Sequence, residues 1–173
     1  MSVTVRILGI DPGSRITGYG VLDSDGIRSR YITSGCIHTR GDELHSRLAC
    51  IFDGLRGIVR ECRPTHVAVE RVFMSRNADS ALKLGQARGA AICATLESGV
   101  ELHEYAARAI KQSVVGRGSA DKVQVQHMVR AILGLDRLPA ADEADALAVA
   151  LCHSHQWPLA QRKQAALLAE ARR

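Results

Sequence analysis

Apolar and polar positions along the chain fall into two rhythms, and the changes between them mark the elements. VRILGID (5–11) and TGYGVLD (17–23) are short apolar runs with Pro12-Gly13 between them, which predicts two strands joined by a turn. Residues 27–38 continue from the Asp25-Gly26 turn as a third strand, completing an antiparallel meander. From Gly41 to about Cys62 the rhythm lengthens: Leu44, Leu48, Ile51, Leu55, Ile58 and Val59 recur at three and four residues, an amphipathic helix ended by Pro64. THVAVERV (65–72) reads as a buried strand, 78–98 as a second helix and VELHEY (100–105) as a fifth strand. Helical segments follow near 106–114 and 119–133, and a last helix starts around Ala141. Three strands, then alternating helix and strand, then helices imply an α/β fold: a mixed five-stranded sheet with helices on both faces. One domain over 1–156 is expected. The segment 157–173 loses clear patterning, carries four basic residues against one acid, and reads as a basic, mobile C-terminal tail.

Composition narrows the chemistry. The chain of 173 residues is 46% hydrophobic but 3% aromatic, so its core must be aliphatic and each aromatic merits separate attention. Five scattered cysteines without a Cys-x-x-Cys pair argue against a disulfide framework and a zinc ribbon, and favour a reducing, cytoplasmic setting. No run approaches the ~18 apolar residues of a membrane helix, and no secretory leader is expected. A net charge of +5 and a pI near 9.2 suit an anionic partner.

Four acids stand in awkward places. Asp11 ends an apolar strand, Glu70 interrupts VAVERV, and Asp142 and Asp145 begin the last helix. Each has a plain alternative: Asp before Pro-Gly starts turns, a strand-end Glu pairs with a base, and acids suit a helix N-terminus. Together they point elsewhere. Residues three apart share a helix face, so Asp142 and Asp145 project together while Glu143 points away. If the first and fourth strands are neighbours, Asp11 and Glu70 meet at their ends, and the last helix can lay its first turn against them. Clustered carboxylates repel unless cations intervene, and hard oxygen donors favour Mg²⁺ or Mn²⁺. Two such ions ~4 Å apart support phosphodiester hydrolysis.

In order along the chain, GIDPGSRITGYG, AVERVFMSRNADSALKLGQARGAA, EYAARAIKQSVVG, GSADKVQVQHMV and DEADALAVA resemble the RuvC-type Holliday-junction resolvases, over roughly residues 6–155. The resemblance implies a ribonuclease H-like fold and a homodimer. It also implies a Mg²⁺-dependent endonuclease that makes paired symmetric nicks across four-way DNA junctions in recombination and repair, working with the RuvA and RuvB branch-migration proteins. On those motifs Asp11, Glu70, Asp142 and Asp145 fall on the metal-binding catalytic acids, with two Mg²⁺ expected and Mn²⁺ able to substitute. Lys111 and Lys122 fall on the basic residues of the cleft, Lys122 counted with the catalytic set. Some members carry His where Asp142 stands, so this chain implies an all-carboxylate site.

The residues themselves add a DNA side. Segments 71–90 and 103–133 each carry net +3, with Arg76, Lys111, Arg117 and Lys122 among their bases, so binding through them should weaken steeply with salt. Phe73 follows the fourth strand in a loop-like stretch, where its ring either stacks on an unpaired base or plugs the core; the resemblance favours stacking. Gly116 and Gly118 flank Arg117 and suit either a phosphate-contacting loop or a simple linker. His153 and His155, two apart, do not share a helix face and read as poor metal-site candidates. Leu82, Gly85, Gln86, Gly89, Ala90 and Cys93 make a small-residue stripe at helical spacing, which the resemblance places at the dimer interface. Two other classes compete. GIDPGS resembles the first phosphate loop of actin-like ATPases and sugar kinases, but the length leaves no room for their second domain; a non-catalytic junction scaffold predicts a missing acid, and none is missing.

Overall fold

The structure, a computed structural model, describes residues 3–71, 77–96 and 99–170. Three strands open the chain: β1 (Val5–Asp11), β2 (Ile16–Ser24) and β3 (Ser29–His38). Helix α1 (Leu44–Cys62) leads to β4 (His66–Arg71), and α2 (Ala78–Leu96) leads to β5 (Glu101–Ala106). Helices α3 (Ala107–Val115), α4 (Lys122–Leu133) and α5 (Ala141–Glu170) complete the chain. The sheet order is β3-β2-β1-β4-β5, antiparallel within the meander and parallel for β1-β4 and β4-β5. This is the mixed five-stranded sheet that the alternation of elements predicts.

Period-two burial divides the core. Leu8, Ile10, Val21, Val67 and Val69 pack with α1 and α2 on one face, through Ile51, Leu55, Val59, Ala87, Ala91 and Ala94. Ile7, Leu22 and Ala68 face the other way, onto α3, α4 and α5. Local chemistry sets the element ends. Arg63 takes the left-handed conformation (φ 49°) that closes α1 just before Pro64. Asp121 and Gln124 form a reciprocal capping box that starts α4, and Gly116 and Gly134 close α3 and α4 with left-handed backbone.

Helix α5 lies across the second face and contacts β1, β2, β4 and β5. Its approach depends on two glycines. A Cβ on Gly9 would overlap the Ala146 carbonyl and the Ala150 amide, and one on Gly18 would overlap the Asp142 carbonyl. Without side chains at these positions the helix backbone sits directly on the sheet.

The expected end of this helix differs from the observed one. α5 continues unbroken from Ala141 to Glu170, with Pro158 inside it, and the domain boundary expected after residue 156 falls within the helix. Trp157 is buried in the α5-side core, and Pro158 packs against the Gly26 turn. A stretch rich in Ala, Leu, Gln and Arg has high helix propensity even where it lacks an amphipathic stripe. Pattern alone gave no sign that the helix continues to Glu170.

Candidate active site

The parallel pairing of β1 with β4 runs from Ile7 opposite His66 to Ile10 opposite Val69, which leaves Asp11 and Glu70 side by side at the carboxyl ends of adjacent strands. α5 begins above them. Carboxylate oxygens of Asp11, Asp142 and Asp145 lie within 4.8 Å of one another, and Glu70 lines the same cleft of about 380 Å³. The cleft is closed by Pro12, Arg71, Ala107, Ile110, Lys111, Lys122 and Val125 together with Asp11, Glu70 and Asp145. Asp11 is not a mere turn starter: the turn that follows it is tied by the Thr17 hydroxyl, which donates to the Gly13 carbonyl (3.0 Å) and accepts from the Gly13 amide (3.3 Å).

Electrostatics identify what is missing from the cluster. Burial, then the charges of Glu70, Asp145 and Asp142, push Asp11 up to about 7, and burial with Asp145 raises Glu70 as well. Acids gathered this closely resist simultaneous ionisation; the nearest described cation is Lys122, whose Nζ sits 3.1 Å from Asp145 and 3.9 Å from Asp142, and Lys111 acts on Glu70 from the same cleft. Burial would lower the Lys122 pKa, but its hydrogen bond to Asp145 and the surrounding carboxylates outweigh that and hold it up. Two ammonium groups, Lys122 and Lys111, against four carboxylates leave net negative charge, in a cleft whose described ligand atoms are carboxylate oxygens. That donor set fits a hard divalent cation such as Mg²⁺ or Mn²⁺.

Glu143 does point away from its neighbours, and its role was not legible in the sequence. It is buried and accepts from Ser34, both Arg137 nitrogens and the Ala140 amide. Burial pushes its pKa up, but these donors outweigh burial and hold it low. The anchor fixes the first turn of α5 to β3 and to the loop before the helix, and so aims Asp142 and Asp145.

The expected basic residues do not all converge. Lys111 on α3 and Lys122 on α4 face the acids across the cleft. Arg117 is exposed between α3 and α4, beside a separate pocket lined by Val123, His127 and Met128. The Gly116 amide is spent on the Gln112 carbonyl, so Gly116 serves as a helix cap. Arg88 is less available than its charge suggests: it pairs with Glu104 and donates to the Glu70 carbonyl (3.4 Å), which steadies the strand end that carries Glu70. Lys83 pairs with Asp79 along α2. Phe73 and Arg76 lie outside the described residues. Most of the α2 stripe faces away from the core: Leu82, Gly85, Gln86, Gly89 and Cys93 are exposed, whereas Ala90 of that stripe is half-buried against the core and Ala87, Ala91 and Ala94 pack inward.

His153 was missed by considering it only with His155. Its partners are His66 and His103, brought to it from β4 and β5. The usable signal was strand parity: His66 shares a face with Glu70, and His103 with Tyr105.

Comparison with known proteins agrees with this geometry. The family model described as crossover junction endodeoxyribonuclease RuvC matches residues 7–153. Proteins of that name from Marinobacter nauticus and Pseudoalteromonas atlantica are 60% and 61% identical over 149 residues, which is 86% of this chain and 85% and 86% of theirs. Among solved structures, Thermus thermophilus RuvC in complex with Holliday junction substrate superposes with a TM-score of 0.83 at 34% identity, covering 90% of this chain and 96% of that one. The yeast mitochondrial Holliday junction resolvase Ydc2 shares the fold, with a TM-score of 0.62 at 11% identity over 87% of this chain and 79% of its own.

Proposed function

Since the chain belongs to the RuvC family of crossover junction endodeoxyribonucleases, we propose that it resolves four-way DNA junctions by paired symmetric nicks, in recombination and repair, with Asp11, Glu70, Asp142 and Asp145 as its metal-binding catalytic acids. The observation that carries this reading is the convergence of carboxylates from β1, β4 and α5 on one cleft faced by Lys111 and Lys122. Divalent cations, two Mg²⁺ with Mn²⁺ as a substitute, would supply water activation and neutralise charge at the scissile phosphodiester. The protein's own part is to hold four carboxylates in fixed relation. Glu143 and its donors orient Asp142 and Asp145, and the Gly9 and Gly18 contacts set how near they come to Asp11. Lys122, tethered by Asp145, is positioned to exchange a carboxylate for a phosphate oxygen, and Lys111 stands on the same wall.

A symmetric junction calls for two active sites, which an isologous homodimer provides. The exposed Leu82, Gly85, Gln86, Gly89 and Cys93 stripe on α2 supports that helix as the dimer contact, since small side chains let two helices approach closely. Arg76, Arg117 and Phe73 complete the proposed DNA surface, Phe73 by stacking on an unpaired base. The resemblance extends the partners to RuvA and RuvB. The five cysteines are free and no described helix is long and apolar enough to cross a membrane, which supports work in the cytoplasm.

The test mixes purified protein with an end-labelled four-way junction or a linear duplex, with Mg²⁺ or EDTA, and reads nicks on a denaturing gel. Symmetric, Mg²⁺-dependent nicks confined to the junction are expected. Tight binding without nicks would replace the resolvase with a scaffold, and equal cutting of linear duplex would remove junction selectivity.

A further inference from the structure

We propose that His66, His103 and His153 form a second, separate metal site, for one borderline divalent transition ion of which Zn²⁺ is the fitting member, tying β4, β5 and α5 together at the end of the sheet opposite the carboxylates. One nitrogen from each of the three rings lies within 4.8 Å of the others. The ring centres are 4.4, 5.1 and 5.6 Å apart. Three imidazoles around a tetrahedral ion, with Zn–N bonds of about 2.0–2.1 Å, have ring centres roughly 5 Å apart and ligand nitrogens ~3.3 Å apart. The rings therefore already stand at coordination distance, and only their tips must draw in.

His103 is the ring free to do so. Its Nε2 is shielded from solvent and makes no hydrogen bond, and its side chain is 32% exposed. The other two rings are held. His153 Nδ1 lies 2.7 Å from the Tyr105 hydroxyl, so an Nδ1–H donated to that oxygen leaves the Nε2 lone pair facing inward. His66 Nδ1 meets His153 Nε2 at 2.8 Å, and a proton between two such nitrogens is what a cation displaces. The Glu101 carboxylate, 3.6 Å from His103 Nε2 and 3.8 Å from His66 Nε2, is too far for hydrogen bonds and stands outside the cluster of ligand nitrogens, where it can hold a water in the fourth position. Glu101 is also the open side of the site, being 65% exposed.

The chemistry separates this site from the acidic one. Burial, with the neighbouring imidazoles, pushes His153 down to about 3, and burial lowers His66, so both are neutral ligands at pH 7. Imidazole donors select zinc-like ions, whereas Mg²⁺ and Mn²⁺ prefer oxygen. His66 and Glu70 are four residues apart on one strand face, ~13 Å along the sheet, with Ala68 between them.

Chelator-stripped full-length protein, free of DNA, is titrated with Co²⁺ as a spectroscopic probe, then with Zn²⁺, so the outcome is independent of the nuclease reading. Tetrahedral, nitrogen-ligated Co²⁺ absorbs strongly in the visible, and octahedral Co²⁺ on carboxylates only weakly. The expected band saturates near about one equivalent per chain, is displaced by Zn²⁺, persists in Asp145→Asn and is lost in His103→Gln. Zn²⁺ at roughly 100-fold over its Kd should raise Tm by about 5–10 °C. X-ray absorption at the zinc edge reads the wild type directly, with three imidazole nitrogens at ~2.0 Å expected. Absence of the band, its loss in Asp145→Asn but not in His103→Gln, or an oxygen-only zinc shell would each overturn the site.

Discussion

The first turn of α5 and its middle rest on the same face of the same sheet, yet they handle polar groups in opposite ways. At its first turn Asp142 and Asp145 meet Asp11 and Glu70 in an open cleft, where burial and the neighbouring acids raise the cost of ionising Asp11 and Glu70. Three turns on, His153 meets His66 and His103, where burial keeps His153 and His66 neutral and His153 shares hydrogen bonds with His66 and Tyr105. Carboxylates left together must bind a cation or a proton to relieve their charge, against their ordinary pKa; imidazoles left together are neutral by releasing one. The first arrangement is costly unless it is used, and the second can stand alone as a core.

The strongest way to break the comparison is at the acid end. Asp145→Asn removes a proposed ligand and the tether of Lys122, and should cut the rate of junction nicking on the order of 1,000-fold while leaving junction binding intact, as read by paired nicking and gel-shift assays. Parallel loss of binding would make Asp145 structural. Next in size, Gly9→Ala drives a methyl into the backbone of α5 between the two regions, and should cost about 3 kcal/mol in denaturant unfolding.

The imidazole cluster answers to pH. In metal-free protein His153 binds its proton less readily folded than unfolded, so the unfolded chain takes up more protons as pH falls below about 6.5, and stability drops with it. That loss should reach on the order of 2 kcal/mol by about pH 4.5, measured as Tm in EDTA, and His153→Gln should flatten it. Asp11 titrates the other way: its folded pKa, raised to about 7, makes metal-free stability fall as pH rises from about 4 to 7, and Asp11→Asn should remove that slope. The smallest effect is expected from Arg117→Ala, which lies outside the cleft. Junction binding should weaken by at most about tenfold, with the salt dependence reduced by about one phosphate contact.

Much of this was open to reading in one dimension. Strands and helices announce themselves by period, because a chain must bury apolar surface on whichever side its backbone geometry repeats, and Asp142 with Asp145 share a face by helical spacing alone. Asp11 and Glu70 were visible as charges where apolar strands end. What sequence spacing hides is any contact whose partners come from elements far apart in the chain. The bases of 71–90 count toward a net +3, yet Arg88 among them is paired with Glu104, and Glu143, expected only to point away from Asp142 and Asp145, is gripped by Ser34 and Arg137. Trp157 appeared to belong to a tail because its burial depends on a face supplied by β4.

The sequence by itself determined the order of elements, the aliphatic core and the four acids, since those follow from local backbone geometry, hydrophobic periodicity and the family motifs they sit in. Only the tertiary structure decided which charges remain uncompensated and which histidines meet. Coulomb and hydrogen-bond energies depend on distance and burial, and those are set by how the sheet orders its strands and how closely Gly9 and Gly18 let α5 approach it.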